Sequence, residues 1–249
     1  SGNHGQAVAA AANLLNISAT VVMPQDAPRI KIVGTERQGA KIIKYDRHSE
    51  NREEIANNIA QKNGATLIRP YEDFDVIAGQ GTIGLEIAKE CKNLGIYPDV
   101  VVVPAGGGGL IAGCALAIKT AMPNTSLFSA EPKYYDDHAR SFRTGKRQGV
   151  DNLKIKTICD ALLAEKPGVN TFAINKNRVT GGVTASDKEV MAAMAAAFQH
   201  LKLVIEPGGA IALATILSGK IEISGKIVVA VASGGNVDTD IFQQALAHK

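Results

Sequence analysis

The stretch DVVVVPAGGGGLIAG (99–113) carries the fold of this chain. Four successive valines show no alternation of polar and apolar residues, the mark of a strand buried on both faces of a parallel sheet. Four successive glycines then lead into an apolar helix. Without Cβ atoms, the backbone N–H groups of such a loop converge on an anion, and the helix dipole adds to the attraction. The loop lacks the Gly-Lys-Ser/Thr ending of a Walker loop and the spacing of a dinucleotide fingerprint. Two readings stand, a phosphate cradle and a tight strand-to-helix turn. Four glycines are more than a turn needs, which favours the cradle.

Outward from this stretch, strand and helix signals alternate. Residues 6–15 predict a helix, ISATVVMP (17–24) a strand, 28–38 a helix, AKIIKY (40–45) a strand, 50–62 a helix and ATLIRP (65–70) a third strand. Steps of about twenty residues are the rhythm of a parallel, doubly wound sheet. YEDFDVIAGQGT (71–82) interrupts it and marks a crossing between domains, with a helix following to Cys91. SLFSAEP (126–132) predicts a strand, and 133–183 reads as irregular. A helix is expected over 186–203, with Ser186 as N-cap and Glu189 at the capping-box position. EPGGAIALA (206–214) opens another helix, and KIVVAVASGGNVD (226–238) is a last strand with a glycine-rich turn.

Composition excludes several classes of function. At 249 residues the chain can bury one large core or two modest ones. Its 27 basic and 24 acidic residues leave a net charge of +3, too little for a nucleic-acid-binding field. No apolar run is long enough to span a bilayer, and no signal peptide is visible. Cys91, Cys114 and Cys159 lack metal-type spacing, and their odd number argues against a disulfide framework. They read as reduced packing residues, and the cytoplasm fits best.

Two further turns could meet a ligand. VVAVASGGNVD (228–238) ends a strand where open α/β sheets bind ligands, and Ser233 there either faces a ring nitrogen or belongs to a plain turn. SGNHG (1–5) sets Ser1, Asn3 and His4 at a helix start suited to a carboxylate. Alone, His4 would be an ordinary polar loop residue. A ligand-binding turn with no strand before it points to the C-terminal part of a larger enzyme.

Together SGNHGQA, AGQGT (78–82), PAGGGGLIAG, SAEP, EPGGA and SGGNVD resemble, in the same order, the fold-type II pyridoxal-phosphate enzymes, and most nearly the serine/threonine dehydratases and serine racemase. The resemblance covers essentially the whole chain. It implies an α/β fold of two open, doubly wound, mostly parallel sheets, of the tryptophan synthase β type and incomplete at its N-terminus. Residues 1–72 would be a small mobile domain and 73–249 most of the large cofactor-binding domain, with the site between them. It further implies that Gly106, Gly107, Gly108 and Gly109 bind the cofactor phosphate, that Asn3 contacts the ring hydroxyl and that Ser233 faces the pyridine nitrogen. Ser1, Gly2, Asn3 and His4 would hold the substrate carboxylate.

The resemblance implies dehydration and deamination of a small β-hydroxy amino acid, L-serine, L-threonine or an analogue such as hydroxyaspartate or phenylserine, to a keto acid and ammonia. Ser1 stands where racemase-like members carry serine, so it would be a second base opposite the lysine, and racemisation is the alternative. The segment AEPKYYDD (130–137) resembles one that holds Mg2+ or Ca2+ through Glu131, the Tyr135 carbonyl and Asp137; the bland alternative is a solvated acidic turn. TICDALLAEKPG (157–168) carries Ala161 where the family's Thr-Ile-Ala-Asp-Gly segment has glycine. The family's lysine, in a Ser-x-Lys-x-Arg-Gly motif, has no match here: Lys31, Lys41 and Lys226 lack that context. An N-terminal segment carrying it is therefore expected upstream. A non-catalytic phosphate- or pyridoxal-phosphate-binding fragment is the rival reading, and a β-replacement enzyme a weaker one. A homodimer is expected from the family.

Overall fold

A computed structural model describes residues 2–47 and 49–247. They divide into two units, one of Ser1–Pro70 with Asn236–Thr239, the other of Tyr71–Gly235 with Asp240–Lys249.

The first unit contains α1 (Gly2–Leu14), β1 (Thr20–Pro24), α2 (Arg29–Arg37), β2 (Lys41–Tyr45) and α3 (Arg52–Asn63). The two strands pair in parallel from Thr20 opposite Lys41 to Pro24 opposite Tyr45. Ala9, Val21, Met23 and Ala40 form a small core between α1 and the sheet. Gly5 lets α1 come this close, since a Cβ there would lie 2.6 Å from Val21 Cγ1. The Asn51 side chain accepts from the N–H groups of Glu53 and Glu54, and Gly64 closes α3 in the left-handed conformation. The start of α2 is capped from far along the chain: Asp238 accepts from Arg29 N at 3.0 Å and Ile30 N at 2.9 Å. The strand expected at 65–70 does not form. There the Ile68 carbonyl is taken by the His4 ring at 3.1 Å, and Pro70 has no N–H to give a ladder.

The second unit begins with α4 (Phe74–Leu94), followed by β3 (Val100–Pro104), α5 (Gly109–Ala121), β4 (Ser126–Pro132), α6 (Asp137–Thr144), a 3-10 turn (Asp160–Leu162), α7 (Val169–Asn175) and β5 (Gly181–Ala185). After these come α8 (Asp187–Ala196), running into a π turn (Ala197–Leu201), then α9 (Pro207–Leu217) and β6 (Val228–Ala230). The last helix, α10 (Thr239–Ala247), follows the glycine-rich turn. The four strands are all parallel, in the order β5–β4–β3–β6, and the valine run β3 is buried along its whole length near the middle. Two parallel sheets with helices bear out the α/β expectation.

AGQGT is not an interruption but part of α4, and 133–183 contains α6, α7 and β5. The glycines of α4 serve packing: a Cβ on Gly81 would lie 3.1 Å from the Gly113 carbonyl oxygen, and one on Gly113 would lie 2.3 Å from the Ile77 carbonyl oxygen. Backbone therefore meets backbone where α4 crosses α5. Gly113→Ala is expected to cost about 3 kcal/mol by overpacking, as measured by urea denaturation. The helix at 186 starts as expected, with Ser186 N donating to Glu189 Oε2 at 2.7 Å in a capping box. It leaves α-helical geometry at Ala197 rather than running to 203. All three cysteines are free and buried, and burial pushes the Cys114 thiol up to about 12. Among the described residues no helix is long and apolar enough to cross a membrane.

Candidate active site

The glycine loop leaves the C-terminal end of β3, and its carbonyls are each held. His138 Nε2 lies 2.9 Å from the Gly106 carbonyl oxygen, so that nitrogen carries the proton and donates. The Gly107 carbonyl accepts from Thr171 Oγ1 at 2.7 Å and Gly168 N at 3.1 Å. The Gly108 carbonyl accepts from Ala112 N at 3.0 Å, the first helical bond of α5, and from Asn175 Nδ2 at 3.3 Å. All three side chains are fully buried. The N–H groups of Gly107, Gly108 and Gly109, by contrast, donate to no carbonyl of the described residues. Burial pushes the His138 imidazole down to about 4, against a smaller upward pull from its bond to Gly106.

Neighbouring motifs meet the loop from the other side. A Cβ on Gly106 would lie 3.3 Å from the Ala161 carbonyl oxygen, and one on Gly208 would lie 3.3 Å from Ala161 Cβ. The 3-10 turn of TICDALL thus lies against both the glycine loop and the first turn of α9. The same first turn supports SGGN: Glu206 N donates to the Gly234 carbonyl at 2.9 Å, and a Cβ on Gly209 would lie 2.6 Å from that carbonyl oxygen. Ser233 follows β6, exposed, at the same sheet edge as the glycine loop that follows β3.

At the end of β4, Glu131 is completely buried and its two oxygens accept from His138 N at 2.7 Å and Ala139 N at 2.8 Å. It thereby satisfies the first turn of α6. Burial, and next the nearby charge of Asp137, raise its pKa well above the carboxylate range. Burial chiefly raises Asp137 to about 8, and Asp137 Oδ2 is buried with no hydrogen-bond partner. The Tyr135 hydroxyl donates to the carbonyls of Leu153 and Ile155, both at 3.2 Å.

In the first unit, α1 begins at Gly2, so Gly2, Asn3 and His4 form its first turn rather than a loop before it. Asn3 Oδ1 accepts from Asn236 Nδ2 at 2.8 Å. A Cβ on Gly2 would lie 2.2 Å from Cδ of the buried Lys31. Ser1, the expected second base, lies outside the described residues.

A family model described as "Pyridoxal-phosphate dependent enzyme" matches residues 1–234. The chain belongs to this family. It is 41% identical to the L-threo-3-hydroxyaspartate ammonia-lyase of Saccharomyces cerevisiae over 249 residues, 100% of this chain and 74% of the relative. It is 37% identical to the serine racemase of Schizosaccharomyces pombe over 247 residues, 99% and 75% of the two chains. A solved structure of maize serine racemase superposes with a TM-score of 0.87 at 35% identity, covering 99% of this chain and 74% of that one. A crystal structure of a threonine deaminase superposes with a TM-score of 0.85 at 36% identity, covering 95% and 75% of the two chains.

The residues present fit the cofactor of a pyridoxal-phosphate dependent enzyme. Unclaimed amides at a helix start suit its phosphate, and a Cβ at Gly108 would lie 2.6 Å from His138 Cε1. Ser233 offers a neutral hydroxyl at the same edge. His138, Thr171 and Asn175 cannot be singled out from the sequence, because they lie 32, 64 and 67 residues from their partners. The family resemblance implies a cation-ligand role for Glu131, but the sequence gives no sign of its bond to α6.

Proposed function

We propose that this protein dehydrates and deaminates a small β-hydroxy amino acid, L-threo-3-hydroxyaspartate, L-serine or L-threonine, releasing a keto acid and ammonia. The observation that carries it is the glycine loop, with its carbonyls held and its N–H groups unclaimed at the sheet edge that also bears Ser233. Gly106–Gly109 hold the cofactor phosphate, Asn3 the ring hydroxyl, and the first turn of α1 the substrate carboxylate. When bound, pyridoxal phosphate supplies the electron sink for a carbanion at the substrate Cα. Ser233 is neutral, so it does not hold a proton on the ring nitrogen as a carboxylate would. With the cofactor bound, a neutral Ser233 would leave more of the negative charge near Cα, which would favour expulsion of the β-hydroxyl. Relatives named as ammonia-lyases and a threonine deaminase support this reading.

A second reading, racemisation, rests on Ser1 as a second base and on the serine racemase relative. The test incubates the intact, pyridoxal-phosphate-loaded protein with each of the three L-amino acids. Keto acid and ammonia in equal amounts are expected from at least one of them. D-amino acid without keto acid would transfer the assignment to the racemase, and neither product from any of them would overturn both.

Glu131, the Tyr135 carbonyl and Asp137 are proposed to hold Mg2+ or Ca2+. Two buried carboxylates, one with an unpartnered oxygen, support an oxygen-only cation site. Millimolar Ca2+ or Mg2+ should raise the Tm by about 5 °C over the chelated protein. Asp137→Asn should abolish that shift, and an unchanged shift would contradict the site. A cytoplasmic homodimer completes the proposal; the unpaired cysteines support the compartment and the family resemblance supports the dimer.

A further inference from the structure

We propose that His138, Thr171 and Asn175 are positioning residues that aim the phosphate-binding amides by holding the carbonyls on the opposite side of the glycine loop. The inference rests on the pyridoxal-phosphate reading of that loop and adds to it the side chains that set its geometry.

The physical basis is the planarity of the peptide group. In a trans peptide the carbonyl of one residue and the N–H of the next point in opposite directions. Holding the Gly106 carbonyl therefore aims the Gly107 N–H the other way. Holding Gly107 aims Gly108, and holding Gly108 aims Gly109. Side-chain donors at 2.9 and 2.7 Å thus fix the Gly107 and Gly108 N–H vectors, and Asn175 at 3.3 Å adds to the Ala112 N–H bond at 3.0 Å that fixes the vector of Gly109. Those N–H groups are the ones with no carbonyl acceptor among the described residues. A glycine loop without such restraints would sample many orientations, and ordering it would weaken anion binding.

The donors are themselves anchored. His138 lies in the first turn of α6, which is held by both oxygens of Glu131. Thr171 and Asn175 lie on α7, whose first turn is held by Glu72: Asn170 N donates to Glu72 Oε2 at 3.1 Å, and Asn170 Nδ2 to the Glu72 carbonyl at 3.0 Å. Two glutamates thus fix two helix starts, and those helices fix the loop. The clamp is fully buried and touches no reacting atom, so its effect is on cofactor affinity and phosphate environment.

The test uses the intact protein and four variants. T171V and H138F each remove one donor at nearly constant size, whereas T171S and H138Q keep a donor. Pyridoxal phosphate affinity is measured on the apo-form, and the bound phosphate by its 31P chemical shift. The apo-form Tm reports folding separately. T171V and H138F are expected to weaken binding about tenfold each and to move the 31P resonance, the size of one lost buried hydrogen bond. T171S and H138Q should stay within about threefold of the parent. If a donor-removing variant does not fold, T171A, which removes the same hydroxyl without adding a methyl group to the buried site, takes its place with an expected loss of about tenfold. Folded variants with parental affinity and an unmoved 31P resonance would overturn the clamp alone. Failure of the parent protein to bind pyridoxal phosphate would overturn the clamp together with the reading beneath it.

Discussion

Gly108→Ala should lower affinity for pyridoxal phosphate at least about a hundredfold, equivalent to about 2.7 kcal/mol. Gly108 has φ +94°, a conformation that costs an alanine about 1–2 kcal/mol before any contact is made. Its Cβ would also lie 2.6 Å from His138 Cε1 and 3.0 Å from Thr171 Oγ1. Neither side chain has room to retreat, since both are fully buried and both hold loop carbonyls. Relief comes only by moving the loop, which turns the amides away from the phosphate. Gly95→Ala is the control. Gly95 also has positive φ, +66°, but its Cβ would meet nothing within 4 Å, so stability should fall by about 1 kcal/mol without loss of cofactor. Equilibrium dialysis of the two apo-variants separates the effects, and parental affinity in a folded Gly108→Ala protein would contradict the assignment.

Glu131→Ala is expected to destabilise the fold by about 3–5 kcal/mol in chemical denaturation. Truncation leaves the N–H groups of His138 and Ala139 buried without acceptors, removes a carboxylate from the start of α6, and empties space beneath a fully buried helix turn. The loss should reach the glycine loop through His138, so cofactor affinity should fall with stability. Arg140→Ala offers the contrast. Its partners Asp136 and Asp151 are 28% and 86% exposed, so its ion pairs are screened and its removal should cost about 1 kcal/mol or less. Equal losses for the two variants would mean that Glu131 does not organise α6.

The parts of this structure that are legible in the sequence are those whose cause is local. The valine run and its glycines declare β3 and the start of α5, and Ser186 with Glu189 declares the start of α8 within four residues. The missed elements are those whose cause is distant. The start of α6 depends on Glu131 on the preceding strand, and that of α7 on Glu72, 98 residues away from Asn170. Neither helix carries an N-cap side chain of its own that makes the bond, so the span 133–183 looks irregular. The opposite error arises at Gly79 and Gly81, which lie in the segment 71–82 that reads as an interruption but belong to α4. Gly81 serves packing within α4, since a Cβ there would lie 3.1 Å from the Gly113 carbonyl oxygen of α5. The segment 65–70 has the apolar residues of a strand, but no neighbouring edge accepts its backbone, and its Ile68 carbonyl goes to His4. Of the candidate site, the anion loop and the SGGN turn are visible as motifs. The donors that orient the loop are not, because hydrogen bonds spanning 32 to 67 residues leave no periodic trace.

Borohydride reduction of the intact protein with pyridoxal phosphate, followed by peptide mapping, tests most directly whether the cofactor is held as a catalyst. One pyridoxyl-lysine is expected, in a Ser-x-Lys-x-Arg-Gly context that residues 1–249 do not contain. Gly108→Ala should lose that product at cofactor concentrations that saturate the parent. No adduct, or adducts scattered over surface lysines and unaffected by Gly108→Ala, would contradict it.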